Sequence, residues 1–232
     1  VTELISIVIP VLNEARQLSK ILHIPKQASD VEIIVVDGGS YDQTREIATA
    51  AGVTVIQSSI GRAHQMNAGA AKATGDILLF LHADTQLPKG FDTTIRHTLS
   101  QPNVIAGAFQ LTIDAPSWKL RLIEWGVNAR SRYLQMPYGD QAIFLKTTTF
   151  RTLGGFPTLP IMEDFELVRQ LKQQGKIAIA PTAVITSGRR WQTLGVVKTT
   201  LINQLVILAY FSGVSPDRIA PWYRSGMRRI RK

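Results

Sequence analysis

His82-Ala83-Asp84 sets an imidazole and a carboxylate directly after five consecutive apolar residues, 77–81. An aspartate with a nearby histidine can hold a divalent cation, and a cation there can neutralise a diphosphate. The same triplet also suits a polar strand end entering a turn. The run 77–81 is too short for a typical helix and reads as a strand buried on both faces, inside a sheet. On an extended segment side chains two apart point the same way, which predicts that His82 and Asp84 share one side of the strand's carboxyl end. In open α/β sheets ligands bind at that edge.

The preceding chain supplies such a sheet. Residues 5–10 read as a first strand, followed by a short helix to about residue 22 and by the β-branched strand 31–36, which ends in Asp37. Ser40 precedes Gln43 by three, a capping box, so a helix is expected over about 42–51, then a strand at 53–57 and a helix over 61–74. Strands alternating with helices imply a mostly parallel, doubly wound sheet covered on both faces. Further on, a helix is expected at about 91–99 and a strand at 104–113, whose Gly107 and alternating tail suggest a more exposed position. Trp118, Leu122, Trp125 and Ala129 recur at helical spacing while Lys119, Arg121, Arg130 and Arg132 take other faces. The default for such a stripe is to face the core, with an acceptor platform or a membrane-surface contact as alternatives. A strand at 141–146, a short helix at 147–153, a helix at 163–174 closed by Gly175, and strands at 177–182 and 184–186 complete the expected domain.

Residues 194–214 are apolar in bulk but carry Lys198, Asn203 and Gln204 and are broken by Gly195 and Gly213, so they read as an interfacial or packed helix and not a membrane span. Arg224, Arg228, Arg229, Arg231 and Lys232 follow, a cluster that suits either anionic lipid or a solvated tail. The 232-residue chain carries a net charge of +9, which suits anionic partners, yet nothing in it resembles a nucleic-acid-binding signature. With no cysteine, a disulfide scaffold, a thiolate zinc site and a cysteine nucleophile are excluded. The opening residues read as a strand and not a signal peptide, so the expected location is cytoplasmic, with peripheral contact on the inner face of the membrane through the apolar helix and basic tail.

Four motifs in order carry a family resemblance: Val8-Ile9-Pro10-Val11-Leu12-Asn13-Glu14, Val36-Asp37-Gly38-Gly39-Ser40, His82-Ala83-Asp84 and Met162-Glu163-Asp164. Together they resemble family-2 glycosyltransferases with the GT-A fold. Residues 61–70 and 187–191 further resemble a small bacterial subgroup associated with arsenosugar biosynthesis. The resemblance implies a GT-A domain over 1–190, with a nucleotide-binding half to about 100 and an acceptor half beyond it, and a C-terminal segment, 191–232, packed on or beside it. It also implies transfer of a sugar, with inversion, from a nucleotide diphosphate donor to the hydroxyl of a small-molecule or lipid-linked acceptor.

Residue by residue, the resemblance places Pro10, Val11, Asn13 and Glu14 along the nucleoside, and Asp37 with Gly38 at the base, usually uracil. Glu14 also suits a plain helix-start acid, and Asp37 a turn-forming aspartate. Arg62, at a helix start, suits a phosphate or an ordinary surface position, and Asn67 a donor contact or plain surface. His82, Ala83 and Asp84 match the Asp-x-Asp motif that carries Mn2+ or Mg2+, with histidine where the family has its first aspartate; a neutral imidazole tolerates manganese better than magnesium. Gly38 likewise replaces a second acid common in the family. Asp164 matches the general base, Glu163 a group that orients the site, and Asp140 an acceptor or donor-sugar contact. Arg189 and Arg190 are expected on a flexible loop that closes on the departing diphosphate.

Two other readings fit parts of the chain. A nucleotidyltransferase would open with a glycine-rich run after its first strand, where this chain has Pro10-Val11-Leu12-Asn13-Glu14. A membrane-surface binding protein without catalysis would account for the basic amphipathic segments and for His82 in the metal motif.

Overall fold

The computed structural model describes residues 2–22, 28 and 30–227. Alternation along β1 (Ile5–Val11) divides the core in two: Ile5, Ile7, Ile9 and Val11 join one buried cluster, and Val8 joins another on the opposite face. β2 (Val31–Asp37) and β4 (Ile77–Phe80) repeat the division, with Ile33, Val35 and Leu79 on the first face and Ile34, Val36 and Leu78 on the second. Both faces of these strands are dry, which explains their continuous apolar runs.

The first face is covered by α1 (Ala15–Ile21), α2 (Thr44–Ala50), α4 (Phe91–Leu99) and the start of α5 (Trp118–Leu134), through Leu18, Ala48, Ile95 and Leu120. On the second lie α3 (Arg62–Lys72), α6 (Thr147–Thr152) and α7 (Glu163–Gln174), through Met66, Phe150 and Val168. The sheet has eight strands in the order β3-β2-β1-β4-β7-β6-β8-β5, where β3 is Thr54–Gln57, β5 Thr85–Gln86, β6 Val104–Asp114, β7 Phe144–Lys146 and β8 Lys176–Ser187. β3, β2, β1 and β4 run parallel, as do β6 and β8, whereas β7 is antiparallel to both its neighbours and β5 to β8. The chain leaves β3 and lands on the far side of β1, so the crevice at the carboxyl ends of β1 and β4 is a topological switch point.

Several expectations are corrected. β6 is an interior strand and not an exposed one: Gly107 is needed because a Cβ there would stand 2.4 Å from the Phe144 ring. The strand expected over 141–146 is β7 alone, since Gly139–Gln141 form a 3-10 turn. β8 is one strand through Pro181, whose neighbourhood carries a register shift against β6. The capping box at Ser40 does not form, because the Ser40 hydroxyl accepts the Asn13 amide while Asp42 accepts those of Thr44 and Ala15. The largest correction concerns α5, whose tryptophan stripe faces solvent while Leu120, Glu124 and Ser131 are buried.

Among the described residues three helices follow β8: α8 (Arg189–Leu194), α9 (Val196–Phe211) and α10 (Pro216–Met227). Val206, Ile219 and Ala220 pack on Ile161, Met162 and Phe165 at the start of α7, so α9 and α10 brace the element that bears Asp164. Arg224 belongs to α10 and donates to the Pro160 carbonyl at 3.2 Å, so it is not part of a solvated tail. Arg228, Arg229, Arg231 and Lys232 lie outside the described residues. No helix among the described residues is long and apolar enough to cross a membrane.

Candidate active site

The loops after β1 and β2 are tied side by side. The amides of Asn13 and Glu14 donate to the hydroxyls of Ser40 (2.8 Å) and Thr44 (2.9 Å), and the Tyr41 amide donates to Asn13 Oδ1 at 2.9 Å. Asn13 sits at φ 56°, a left-handed conformation that asparagine tolerates, and its side chain bridges the two loops. Asp37 is fully buried and accepts the Ser40 amide at 3.0 Å, so it forms the turn. Beneath, Gln65 of α3 donates to the carbonyls of Val11 (2.8 Å) and Val36 (2.9 Å). Pro10, Val11, Gly38 and Ala83 are buried.

β4 ends at Phe80, and the chain then turns, with the Thr85 amide donating to the His82 carbonyl at 3.1 Å. His82 and Asp84 therefore share a turn and not an extended segment. Gly139 of the 3-10 turn closes against this end of the site from the other side. Its amide donates to Asp164 Oδ2 at 2.7 Å, and a Cβ at Gly139 would stand 3.0 Å from that oxygen and 3.1 Å from His82 Nε2. Only a glycine gives both side chains room at their present distance. Asp164 accepts a second amide, that of Phe165, at 2.8 Å through Oδ1, so the carboxylate is held at both oxygens at the start of α7. Met162, just before it, takes φ 69°, a left-handed conformation uncommon for a bulky residue.

Charge is concentrated here. Arg62, the first residue of α3, places Nε 2.9 Å from Glu163 Oε1, a charge contact without hydrogen-bond alignment. Glu163 is 2% exposed, and burial raises its pKa, with Arg62 partly offsetting the rise. In return Glu163 raises the pKa of Arg62. Burial and then the Arg62 charge push His82 down to about 4, so its imidazole is neutral at pH 7. Burial and the Asp164 charge outweigh Arg130 and push Asp140 up to about 6; its Oδ1 is buried without a hydrogen-bond partner. Arg130 stacks on the Tyr138 ring, 3.5 Å from its centroid, and anchors the turn that presents Asp140.

Asp84 is partly exposed and lies 3.4 Å from Arg189 Nη2, which is also 3.3 Å from Glu14 Oε2. His82 and Asp84, on one turn, supply a neutral ring nitrogen and a carboxylate, ligand types that a divalent cation accepts. Among the described residues no group of three or more His, Asp or Glu could hold a metal ion by itself.

Two expected site residues are not in the crevice. Both polar atoms of the Asn67 side chain are taken by the backbone of Phe156, donating to its carbonyl at 2.8 Å and accepting its amide at 2.9 Å, so Asn67 binds α3 to the segment before α7. Arg190 donates to the Tyr223 hydroxyl and to Asn203 Oδ1 and covers the Tyr223 ring, which fastens α8 to α9 and α10. Both arginines are on a short helix and not on a loop. Gln65, a polar residue among small ones that reads in the sequence as ordinary helix surface, is instead buried beneath both loops, and Gly139 stands out in the sequence only as the neighbour of Asp140.

The mixed eight-stranded sheet with its covering helices is a GT-A-like fold. Residues 6–156 match glycosyl transferase family 2, and the chain belongs to that family. It is 37% identical over 95 residues, 37% of this chain and 25% of the relative, to the 4,4'-diaponeurosporenoate glycosyltransferase of Staphylococcus haemolyticus. To the undecaprenyl-phosphate 4-deoxy-4-formamido-L-arabinose transferase of Pseudomonas aeruginosa it is 26% identical over 153 residues, 59% of this chain and 45% of that one. The chain thus spans less than half the length of either relative. In structure it is similar to a mannosyltransferase from Pyrobaculum calidifontis in complex with GDP-Man and Mn2+, with a TM-score of 0.67 at 17% identity over 98% of this chain and 75% of the other.

Proposed function

We propose that this chain moves a hexosyl group from a nucleotide diphosphate sugar, UDP-linked by the family resemblance, to an acceptor hydroxyl with inversion at the anomeric carbon. The observation that carries the reading is the Gly139 contact, which sets the candidate base Asp164 beside His82 of the metal motif in one crevice. Asp164 takes the acceptor's hydroxyl proton as the acceptor oxygen bonds to the anomeric carbon from the side opposite the diphosphate. The bond from that carbon to the diphosphate breaks, and the nucleoside diphosphate leaves with its electron pair. Asp84 and His82 would hold Mn2+ or Mg2+, which when bound supplies positive charge against the departing diphosphate. Arg62 and Arg189 add fixed positive charge on the same side. Glu163 orients Arg62, and Asp140 faces the sugar or the acceptor.

Asp37 shapes the nucleoside pocket through its turn with Ser40, and Glu14 is placed for a ribose hydroxyl. The donor half is about residues 1–100 and the acceptor half about 101–190. The lipid-linked phosphate in the name of the Pseudomonas relative supports a lipid-linked acceptor. Residues 61–70 and 187–191 support the subgroup associated with arsenosugar biosynthesis. Thermal shifts with UDP- and GDP-sugars, each with and without Mn2+, test the reading, because a true donor stabilises the folded state by mass action. No Mn2+-dependent stabilisation by any nucleotide sugar sinks it.

A further inference from the structure

α5 turns its two tryptophans to water. Trp118 is 70% and Trp125 74% exposed, and Leu122 and Tyr133 beside them are 60% and 81% exposed. At 3.6 residues per turn Trp118, Leu122, Trp125 and Ala129 fall within an arc of about 60°, opposite the buried Leu120 and Ser131. A contiguous apolar stripe of this kind on a surface marks a place of interaction.

Its flanks are cationic. Lys119 and Arg121 stand on either side of the stripe and Arg132 at its margin, while the single acid of the helix, Glu124, is buried and paired with Arg121 at 3.0 Å. Across α5, α9 and α10 there are seven lysines and arginines against two acids. Beside the stripe an open recess of about 320 Å³ is lined by Trp125, Arg132 and Tyr133, by Ile179 and Pro181 of β8, and by the amides of Gln110 and Asn128, so it is polar and apolar in similar measure.

We infer that the outer face of α5 docks on an anionic phospholipid surface, with the tryptophans, Leu122 and Tyr133 entering the interface and Lys119 and Arg132 meeting lipid phosphates, while Arg121 stays on Glu124 and the Ile113 and Ala115 carbonyls. Tryptophan and tyrosine rings favour the head-group level, and an amphipathic basic helix lies flat there. A second copy of this chain is a poorer occupant, because a two-fold contact through this face would bring like charges together. Arg130, on the same helix, stacks on Tyr138, two residues before Asp140, so α5 is tied to the turn that presents Asp140. The inference rests on the proposed transfer only for what that surface presents, a lipid-linked acceptor.

The test is cosedimentation of the full chain with vesicles of phosphatidylcholine alone or mixed with phosphatidylglycerol. The chain is expected on the mixed vesicles, with binding weakened by salt, by omission of phosphatidylglycerol, and by about tenfold or more in Trp118→Ser/Trp125→Ser. Arg132→Glu, tested alongside, weakens it through charge alone. Equal vesicle affinity in all three proteins overturns the inference. So does absence of vesicle binding together with self-association in sedimentation velocity that the double substitution abolishes, which assigns the face to a second copy. Stabilisation by a nucleotide sugar is read separately in each protein; its absence with vesicle binding intact strikes the transfer reaction and leaves the docking face standing.

Discussion

Arg189 Nη2 stands 3.4 Å from Asp84 Oδ2, and the same nitrogen reaches Glu14, so one guanidinium joins the loop after β1 to the turn after β4. A divalent cation bound at Asp84, as proposed, would compete for the charge that Arg189 now balances. Both partners are partly exposed, so the pair adds at most about 1 kcal/mol to folding. Arg189→Ala is expected to keep the fold, to tighten Mn2+ binding in the absence of nucleotide, and to weaken binding of nucleoside diphosphate in its presence. Asp84→Ala is expected to abolish Mn2+-dependent nucleotide binding. Isothermal titration reads each quantity, and unchanged Mn2+ affinity in Arg189→Ala rules out the competition.

Asp164 is held by the Gly139 and Phe165 amides, each at one oxygen, which fixes its aim while leaving lone pairs for an acceptor proton. Asp164→Asn keeps the size of the side chain but can accept only one of the two amides, its NH2 group facing the other. Turnover is expected to fall by about a hundredfold to ten-thousandfold, with donor affinity little changed. Single-turnover kinetics beside donor titration separate the two, and wild-type turnover in the variant would falsify the role of base.

The parallel half of the fold is legible in the sequence because its strands are buried on both faces: residues 5–10, 31–36 and 77–81 announce β1, β2 and β4 to within about a residue. The direction in which α5 presents its stripe is not legible. Helical spacing shows that Trp118, Leu122 and Trp125 share a face, but which face meets the sheet is decided by Leu120, Ile123 and Val127, an equally apolar set on the other side. The same limit hides Asn67 and Arg190. Their polar groups are spent on Phe156, Asn203 and Tyr223, partners distant in sequence that only the tertiary fold brings near. The apolar run 77–81 announces that His82 and Asp84 follow the end of β4, but not that they lie on a turn, which the Thr85 amide closes on the His82 carbonyl.

Gly139→Ala tests the closure of the crevice. The added methyl would press on Asp164 Oδ2 and His82 Nε2 at 3.0 and 3.1 Å, so both groups must move by a few tenths of an ångström. Overpacking of this size costs on the order of 1 kcal/mol of stability, whereas turnover depends on the aim of Asp164 and should fall at least about tenfold. A melting curve and a rate measurement on one preparation check both, and a rate lowered no more than stability accounts for argues against the contact's importance.

Asn67→Ala is expected to behave in the opposite way. Removing an amide that pairs with both backbone groups of Phe156 leaves them without side-chain partners, at a cost of about 1–3 kcal/mol. Donor affinity should be unchanged at temperatures where the variant is folded. Denaturant unfolding together with nucleotide titration decides this; weaker donor binding at full folding would return Asn67 to the donor site.

His82 and Asp140 give metal-free protein an acid response in which two groups oppose each other. The imidazole is pushed down to about 4, so its contribution is fully present above the unfolded value near 6.5 and is lost as pH falls towards 4. The Asp140 carboxyl is pushed up to about 6, so burying its charged form costs stability at neutral pH, and that cost is relieved as pH falls from 6 towards the unfolded value near 4. The wild-type melting temperature is therefore expected to show only a shallow local dependence between about pH 4 and 6.5 from this pair. Asp140→Asn removes the compensation and should steepen the loss of stability on acidification, whereas His82→Asn should reverse it and make the protein relatively more stable as pH falls. Melting temperatures for the three proteins, taken in chelator over that range, check the signs. Parallel curves for both variants and the wild type would mean that neither group is shifted by its neighbours at the head of the crevice.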